Sequence, residues 1–522
     1  MVAFWQSTPS HRLSPITLLI LVTSALAQSL SIAWPWDSVV HLGDTLPWLQ
    51  CLAMASFVAV LNRCQSPRQA ALAGLVFTTV WLCGVFWWLY VSLHTYAGLP
   101  SIVAASAIAS LAAALALYYA AASYIYVSLR GHRVWLASLL FAALWTGAEM
   151  ARGTWLTGFG WGATGYAHLD GWLASYIPWL GAYGLTALTA WMAANLAQVR
   201  SVGRVSQALS VLVLAVGAWA SYVPASWTEP HGDLQVTLLQ GNIPQDQKFE
   251  LGSGVPLALG WYAEQLLANR SPLVVAPETA IPLLPQQLPE DYWQTLQQRF
   301  ATGTQAALIG FPLGSFKDGY TNSVLGFAPL AERLWHYDKH HLVPFGEFIP
   351  PLFKWFTQMM NIPLGDFNRG ALGQPSFAWT GQRLAAHICY EDLFGEELAT
   401  RFVDVANAPT IFVNFSNIGW FGDSIAIDQH LNISRMRALE FERPFVRATN
   451  TGATVIMDHR ARVTASLPRA TRGVLEGSVQ GRTGMTPFAW WASRWSLWPV
   501  WLVVLGVVAG SWYAKRQDSL SN

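Results

Sequence analysis

Three polar residues, each placed beside an apolar run, carry the most reactive chemistry in this chain: Glu278, Lys339 and Cys389. Glu278 follows Val274-Val275-Ala276 and lies between Pro277 and Pro282, which stiffen its backbone. Lys339 sits inside the run from Trp335 to Glu347, and Cys389 follows Leu384–Ile388 just ahead of Glu391 and Asp392. An ordinary thiol ionises near pH 8.5, so a nucleophilic cysteine needs a base to take its proton or a cation to hold the thiolate. Attack on an ester or amide carbonyl then builds an oxyanion that an ammonium stabilises. A carboxylate, an ammonium and a thiol are therefore a sufficient set for acyl transfer. Taken alone, Cys389 reads equally as a small buried hydrophobe.

A rival constellation is His336, His340 and His341 near Asp338. Zinc would require ligands converging at suitable spacing, and no H-E-x-x-H or C-x-x-C pattern is present. These histidines are expected to hydrogen bond around Lys339 or to face solvent. The acyl-transfer set calls for no metal and no cofactor.

Positioning these residues requires a layered domain. From about residue 233, short β-branched and apolar runs alternate with helix-like stretches. Strands are expected at Gln235–Leu239, Leu273–Ala276, Ala307–Gly310, Asn322–Gly326, Leu384–Ile388, Ile411–Asn414 and Thr454–Met457. Helices are expected at Pro256–Leu267, Asp291–Ala301 and Ile427–Glu442. The fold class is α/β or layered α+β, with the chemistry at strand ends.

The rest of the chain is of another kind. Of 522 residues 53% are hydrophobic and only 11% charged, and residues 1–230 hold eight Arg, no Lys and five acids. Apolar runs at 14–33, 44–62, 70–94, 100–128, 134–150, 171–197, 204–223 and 489–513 read as eight membrane spans. The short loops on one side carry Arg12, Arg63, Arg68, Arg130, Arg133, Arg200, Arg204, Lys515 and Arg516, while the other side carries Arg152. Positive residues stay inside, so both termini are expected in the cytoplasm and residues 224–487 outside. This divides the chain into a seven-span region (1–223), an extracytoplasmic catalytic domain (224–487) and an eighth span with its tail (488–522). A competing reading takes Arg12, the first apolar run and Ala25-Leu26-Ala27 as a cleaved signal peptide.

Smaller features have two readings each. The tryptophans near span ends are expected at the lipid headgroup level. The Gly-rich segment Gly153–Gly162 is either a turn or the wall of a lipid entrance. Glu149 and Arg152, three residues apart, are a structural pair or an intramembrane functional site. The stretch Phe353–Met360 is a lid, a membrane-dipping arm or a packed helix. A net charge of +1 without any basic block excludes nucleic acid as a partner.

The segments Pro277–Pro282, Lys339–Glu347 and Cys389-Tyr390-Glu391 resemble the Glu-Lys-Cys motifs of the carbon–nitrogen hydrolase (nitrilase) superfamily. Supporting matches are Gln240–Gln245, the loop from Asn414 to Gly422 and Arg435–Glu440. With the spans included, the whole chain resembles the apolipoprotein N-acyltransferase family. That resemblance implies a nitrilase-like αββα sandwich on a polytopic helical platform. It also implies Glu278 as general base, Lys339 as oxyanion stabiliser and Cys389 as nucleophile, supported by Glu347, Tyr390 and Glu391. Asn322, Trp420 and Phe421 are expected to contact substrate. The implied donor is the sn-1 chain of a phospholipid, typically phosphatidylethanolamine, and the acceptor is the α-amine of a diacylglyceryl-cysteine at a lipoprotein N-terminus. The implied setting is the bacterial inner membrane, with the domain periplasmic and the protein a monomer. Ser416–Trp420 departs from the family's usual acidic or small residue before the Trp, which touches substrate contacts rather than chemistry. A tethered amidase acting on a small soluble amide would use the same catalytic residues. A transporter would leave the α/β domain unexplained.

Overall fold

The structure is a computed structural model describing residues 12–223, 226–331, 333–349 and 367–520. The stretch Phe353–Met360 lies outside the described residues. The chain folds as two compact units. One holds the residues up to Tyr90, Pro100–Ala225 and the chain from Leu497 on; the other holds Val91–Leu99 and Ser226–Ser496.

The first unit is helical: α1 (Pro15–Leu30), α2 (Pro47–Arg63), α3 (Pro67–Val85), α4 (Ser101–Leu129), α5 (Val134–Thr154), α6 (Ile177–Ala197), α7 (Arg204–Tyr222) and a last helix, Trp498–Leu520. Proline stands in the first turn of α1, α2 and α3, where its missing N–H would be unpaired anyway. The helices starting at Pro67, Ser101, Val134 and Arg204 are each long and apolar enough to cross a bilayer; a fifth joins them if Pro487–Trp495 and Trp498–Leu520 count as one span. Two runs end differently from the sequence reading. The run 70–94 stops being α-helix at Val85, and Val91–Tyr96 forms a short π-helix that belongs to the other unit. The run 489–513 breaks at Ser496, and Phe488, Ala489 and Ala492 are buried in the core of the second unit.

Glu149 and Arg152 each find partners other than one another. Glu149 accepts from Thr164 N and Thr186 Oγ1, both at 2.9 Å. Arg152 donates to the carbonyls of Phe159 (2.7 Å) and Trp161 (2.8 Å) and to Tyr119 OH. The arginine thus fastens the Gly153–Gly162 segment, which runs from the end of α5 through the short 3-10 helix Trp155–Thr157 into a turn at Trp161-Gly162.

The second unit is a four-layer sandwich. Its first sheet contains β1 (Thr228–Gln240), β2 (Leu273–Ala276), β3 (Ala306–Ser315), β4 (Gly319–Phe327), β5 (Trp335–Asp338) and β12 (Gly473–Gly484), in the order β12-β1-β2-β3-β4-β5. The second contains β6 (Phe377–Trp379), β7 (Gln382–Ile388), β8 (Ile411–Ser416), β9 (Phe445–Thr449), β10 (Val455–Met457) and β11 (Val463–Ser466), in the order β11-β10-β9-β8-β7-β6. The central strands β1, β2 and β3, and likewise β7, β8 and β9, run parallel. Such strands are covered on both faces and read as continuous apolar runs. Leu273 and Val275 of β2 point to the inter-sheet core with Ile411, Val413 and Phe415 of β8. The alternate residues Val274 and Ala276 pack under Gly254–Ala268 and Glu290–Ala301, while Phe412 packs under Ala426–Phe441. The sandwich brings the C-terminal ends of β2 and β7, with the residues that follow them, to one place.

All seven expected strands and three expected helices are present. Five strands were not expected: β5, β6, β9, β11 and β12. Strand β9 was hidden by Arg447, a fully buried arginine in mid-strand. Strand β12 pairs with β1 at a sheet edge and alternates buried with exposed residues, so it has no continuous apolar run.

Candidate active site

Glu278 sits on a turn just beyond β2, where Thr279 takes a positive φ of 49°. A Cβ at Gly310 would stand 2.2 Å from Pro277 O and 2.6 Å from Thr279 N, so only glycine lets β3 pass so close to this turn. Asn417 N donates to Glu278 Oε2 at 2.8 Å, and Asn322 Nδ2 donates to Oε1 at 2.7 Å. The carboxylate is fixed from the loop after β8 and from β4.

Lys339 follows β5 and is 1% exposed. Its Nζ lies 2.9 Å from Glu347 and 3.5 Å from Glu278 Oε1. Burial alone would lower its affinity for a proton, but the Glu347 and Glu278 charges outweigh this and hold the ammonium well above its ordinary range. Glu347 also receives Asn322 Nδ2 at 2.7 Å and Val343 N at 2.8 Å. Asn322, expected to touch substrate, therefore bridges the two carboxylates.

Cys389 directly follows β7 and lies in the left-handed region, with φ of 51°, so the backbone turns abruptly as the strand gives way to the short helix Cys389–Leu393. Its carbonyl accepts from His430 Nε2 (3.1 Å) and Asn414 Nδ2 (3.4 Å). Burial first, and then the Glu278 carboxylate, push the thiol up to about 12 against the opposing pull of Lys339 and the Ser416 hydroxyl. The side chain is only partly buried. At rest it is a thiol, which would need a proton acceptor to act as a nucleophile.

Glu391 ties these loops together. Its carboxylate accepts from Ile388 N at 2.6 Å, from His340 N at 2.8 Å, from His341 N at 3.2 Å and from Tyr337 OH. One buried carboxylate thus sets the cysteine turn and the lysine loop at a fixed separation. Tyr390 is buried against His341 and Phe394. The three histidines go separate ways: His340 Nδ1 meets Gly370 O at 2.8 Å, His341 Nδ1 meets Glu397 at 2.9 Å, and His336 is more exposed, 3.7 Å from Asp338.

Trp420 and Phe421 lie on the short helix Ile418–Phe421 after β8. Trp420 is 40% exposed and meets Tyr96 edge-on at 5.8 Å. That contact brings in the segment Val91–Leu99, whose first four residues sequence reading had assigned to the end of a span.

Behind Cys389 lies a second charged cluster that sequence reasoning missed. Asp392 Oδ1 lies 2.6 Å from His387 Nε2 and accepts from Asn414 Nδ2 at 3.0 Å. Asp392 Oδ2 meets Arg447 at 3.2 Å and the Ser434 hydroxyl. Against the effect of burial, the contact with His387 and the Arg447 guanidinium hold the carboxyl far below the ordinary range.

Comparison with known proteins fits this geometry. The family described as "Carbon-nitrogen hydrolase" matches residues 235–488, and the "Apolipoprotein N-acyltransferase N-terminal domain" matches residues 43–195. A relative named apolipoprotein N-acyltransferase in Verminephrobacter eiseniae is 53% identical over 502 residues, 91% of this chain and 92% of that one. The chain belongs to the apolipoprotein N-acyltransferase family. Another relative of that name, from Ralstonia nicotianae, is 44% identical over 84% of this chain and 85% of that one. The crystal structure of a carbon–nitrogen hydrolase from Helicobacter pylori G27 is similar at 16% identity and a TM-score of 0.35, covering 52% of this chain and 94% of that one. Within the family's sandwich, Glu278, Lys339 and Glu347 stand in one hydrogen-bonded group whose charges all act on Cys389.

Proposed function

We propose that this chain is a membrane-embedded acyltransferase that moves the sn-1 acyl chain of a phospholipid, typically phosphatidylethanolamine, to the α-amine of the diacylglyceryl-cysteine that begins an apolipoprotein. Family membership supports the reaction class. The observation that carries the residue assignment is the gathering of one ammonium and two carboxylates around one partly exposed thiol.

In the first step Glu278 takes the proton of Cys389 Sγ as the sulfur attacks the ester carbonyl. The tetrahedral oxyanion is stabilised by the Lys339 ammonium, which Glu347 holds in place. Collapse breaks the ester C–O bond, and Glu278 returns its proton to the leaving glycerol oxygen of the lysophospholipid. In the second step the acceptor amine attacks the thioester and Glu278 removes its proton. The C–S bond then breaks, and the proton passes to the sulfur, restoring thiol and carboxylate.

The eight helices serve as eight spans, with both termini in the cytoplasm and the sandwich on the periplasmic face of the inner membrane, where both lipid-anchored substrates lie. The enzyme works as a monomer, and Trp420 and Phe421 border the substrate path. Labelled phospholipid is expected to leave acyl label on Cys389 until acceptor is added. Label persisting in Cys389→Ala would overturn the nucleophile assignment. A membrane-impermeant thiol reagent that reached the domain only from the cytoplasm would overturn the topology.

A further inference from the structure

Lysine occurs at only five positions in 522 residues, 248, 317, 339, 354 and 515, where arginine occurs at 25. One of them, Lys248, is as inaccessible as Lys339: it is 2% exposed. It lies three residues beyond Gln245, whose Oε1 accepts from Asn417 Nδ2 at 2.8 Å. The Lys248 Nζ donates to the main-chain carbonyl of Glu278 at 3.0 Å. The Glu278 turn is therefore held by the close passage of Gly310, by Asn417 and Asn322 at the carboxylate, and by a buried ammonium at its carbonyl.

Charge gives a second, independent reason for a cation here. Glu278 is buried and the Glu347 side chain is only 12% exposed, and Lys339 neutralises only one of these two carboxylates. Burying an unbalanced charge is strongly unfavourable. With Lys248 the group holds two cations and two carboxylates, and it stays balanced when a proton moves from Cys389 to Glu278.

We propose that Lys248 is a positioning residue for acyl transfer: its ammonium locks the turn that aims Glu278 and supplies the second positive charge that thiolate formation at Cys389 requires. This inference rests on the reading of Glu278 as base and Cys389 as nucleophile.

The choice of lysine over arginine has a consequence. Burial lowers the Lys248 ammonium to about 8, with the charges of Glu278 and Cys389 opposing that drop. Above that pH the cation is lost, the site becomes negative, and thioester formation slows.

The test reads thioester formation alone, from labelled phosphatidylethanolamine in detergent-solubilised full-length enzyme without acceptor, so that the acceptor amine does not enter the profile. Lys248→Met is expected to form the thioester about 100-fold more slowly, as for a misplaced catalytic group, and its residual rate is expected to be flat across pH 8. Lys248→Arg, which keeps its charge, is expected to recover most of the rate and to carry the alkaline fall to higher pH. A wild-type rate in Lys248→Met, or an alkaline fall unchanged in Lys248→Arg, overturns the proposal. Should neither variant fold, the wild-type profile decides, because a rate flat from pH 7 to 10 overturns it. Glu278→Gln, assayed alongside, separates the two levels. A normal rate there removes the base assignment itself, whereas loss there with a normal rate in Lys248→Met removes only the role of Lys248.

Discussion

Cys389 stands between two clusters of polar and charged side chains that differ in residue type and in how they meet the cysteine. On one side Glu278, Lys339, Glu347 and Lys248 surround a thiol that remains partly exposed. On the other side Asp392, His387, His430, Ser434 and Arg447 are entirely inside the sandwich. Asp392 has both oxygens taken by partners from β7, β8, β9 and the helix Ala426–Phe441, and it fixes the backbone from which Cys389 turns. On the proposed assignment, a buried carboxylate serves chemistry when its neighbour is a reachable reactive atom, and architecture when every neighbour is a saturated protein group.

That contrast is broken most directly at its two centres. Cys389→Ala removes the shared atom while leaving both clusters intact. It is expected to abolish thioester formation and transfer, a loss on the order of 10⁶-fold by analogy with other nucleophile deletions, with the unfolding temperature of the purified protein unchanged within a few degrees. Asp392→Asn is expected to do the reverse. Removing one partner of a buried ion-pair group destabilises by about 3–5 kcal/mol, read as a fall of roughly 10 °C in the unfolding midpoint. The folded fraction should still form thioester. If Asp392→Asn folded normally and lost activity, the division between the two sides would be wrong.

How much of this was legible in the sequence follows the same line. Glu278, Lys339 and Cys389 stood out because each interrupts or ends an apolar run, and the sandwich places all three at strand ends. The cluster behind Cys389 was hidden because its members come from four elements and look like ordinary surface residues one at a time. Arg447 even disguised the strand that carries it. Lys248 lay three residues past a recognised motif, and its only sequence signal was the scarcity of lysine in the chain. The role of Asn322 was unreadable because its two acceptors lie 44 residues before it and 25 after it. Apolar periodicity found the helices but not where a run leaves helix, so Val91–His94 and Ala489–Trp495 were assigned to spans although they pack in the sandwich unit.

Smaller effects sharpen the comparison. Glu347→Gln keeps the shape of the front cluster but removes one of the two charges on Lys339. The ammonium is then held less firmly where the oxyanion forms, and a loss of about 100-fold in kcat is expected, near 2.7 kcal/mol, with folding retained. At the back, His430 is neutral: Nε2–H donates to Cys389 O and Nδ1 faces Arg447 at 3.4 Å. Burial and the Arg447 charge lower it to about 3. The unfolded chain binds this proton near pH 6.5 and the folded chain only near 3, so stability is full above 6.5 and declines as pH falls between those values. About 2 kcal/mol is expected to be lost by pH 5, measurable as a falling unfolding midpoint. His430→Gln should flatten that decline.

The weakest expected effect lies at the rim of the front side, where Trp420 meets Tyr96 of the segment between α3 and α4. An aromatic edge contact of this kind contributes about 0.5–1.5 kcal/mol beyond the area it covers. Trp420→Ala is expected to raise KM for the phospholipid about fivefold while leaving the rate of thioester formation at saturating lipid within about twofold, because no group that holds Glu278, Lys339 or Cys389 is touched. Tyr96→Ala should produce part of the same KM change, and adding it to Trp420→Ala should produce less than the sum, since the two rings share one contact. If Trp420→Ala instead lowered the saturating rate as far as Glu347→Gln does, the rim would have to be counted with the chemistry, and the front cluster would extend to the segment that leads out of α3.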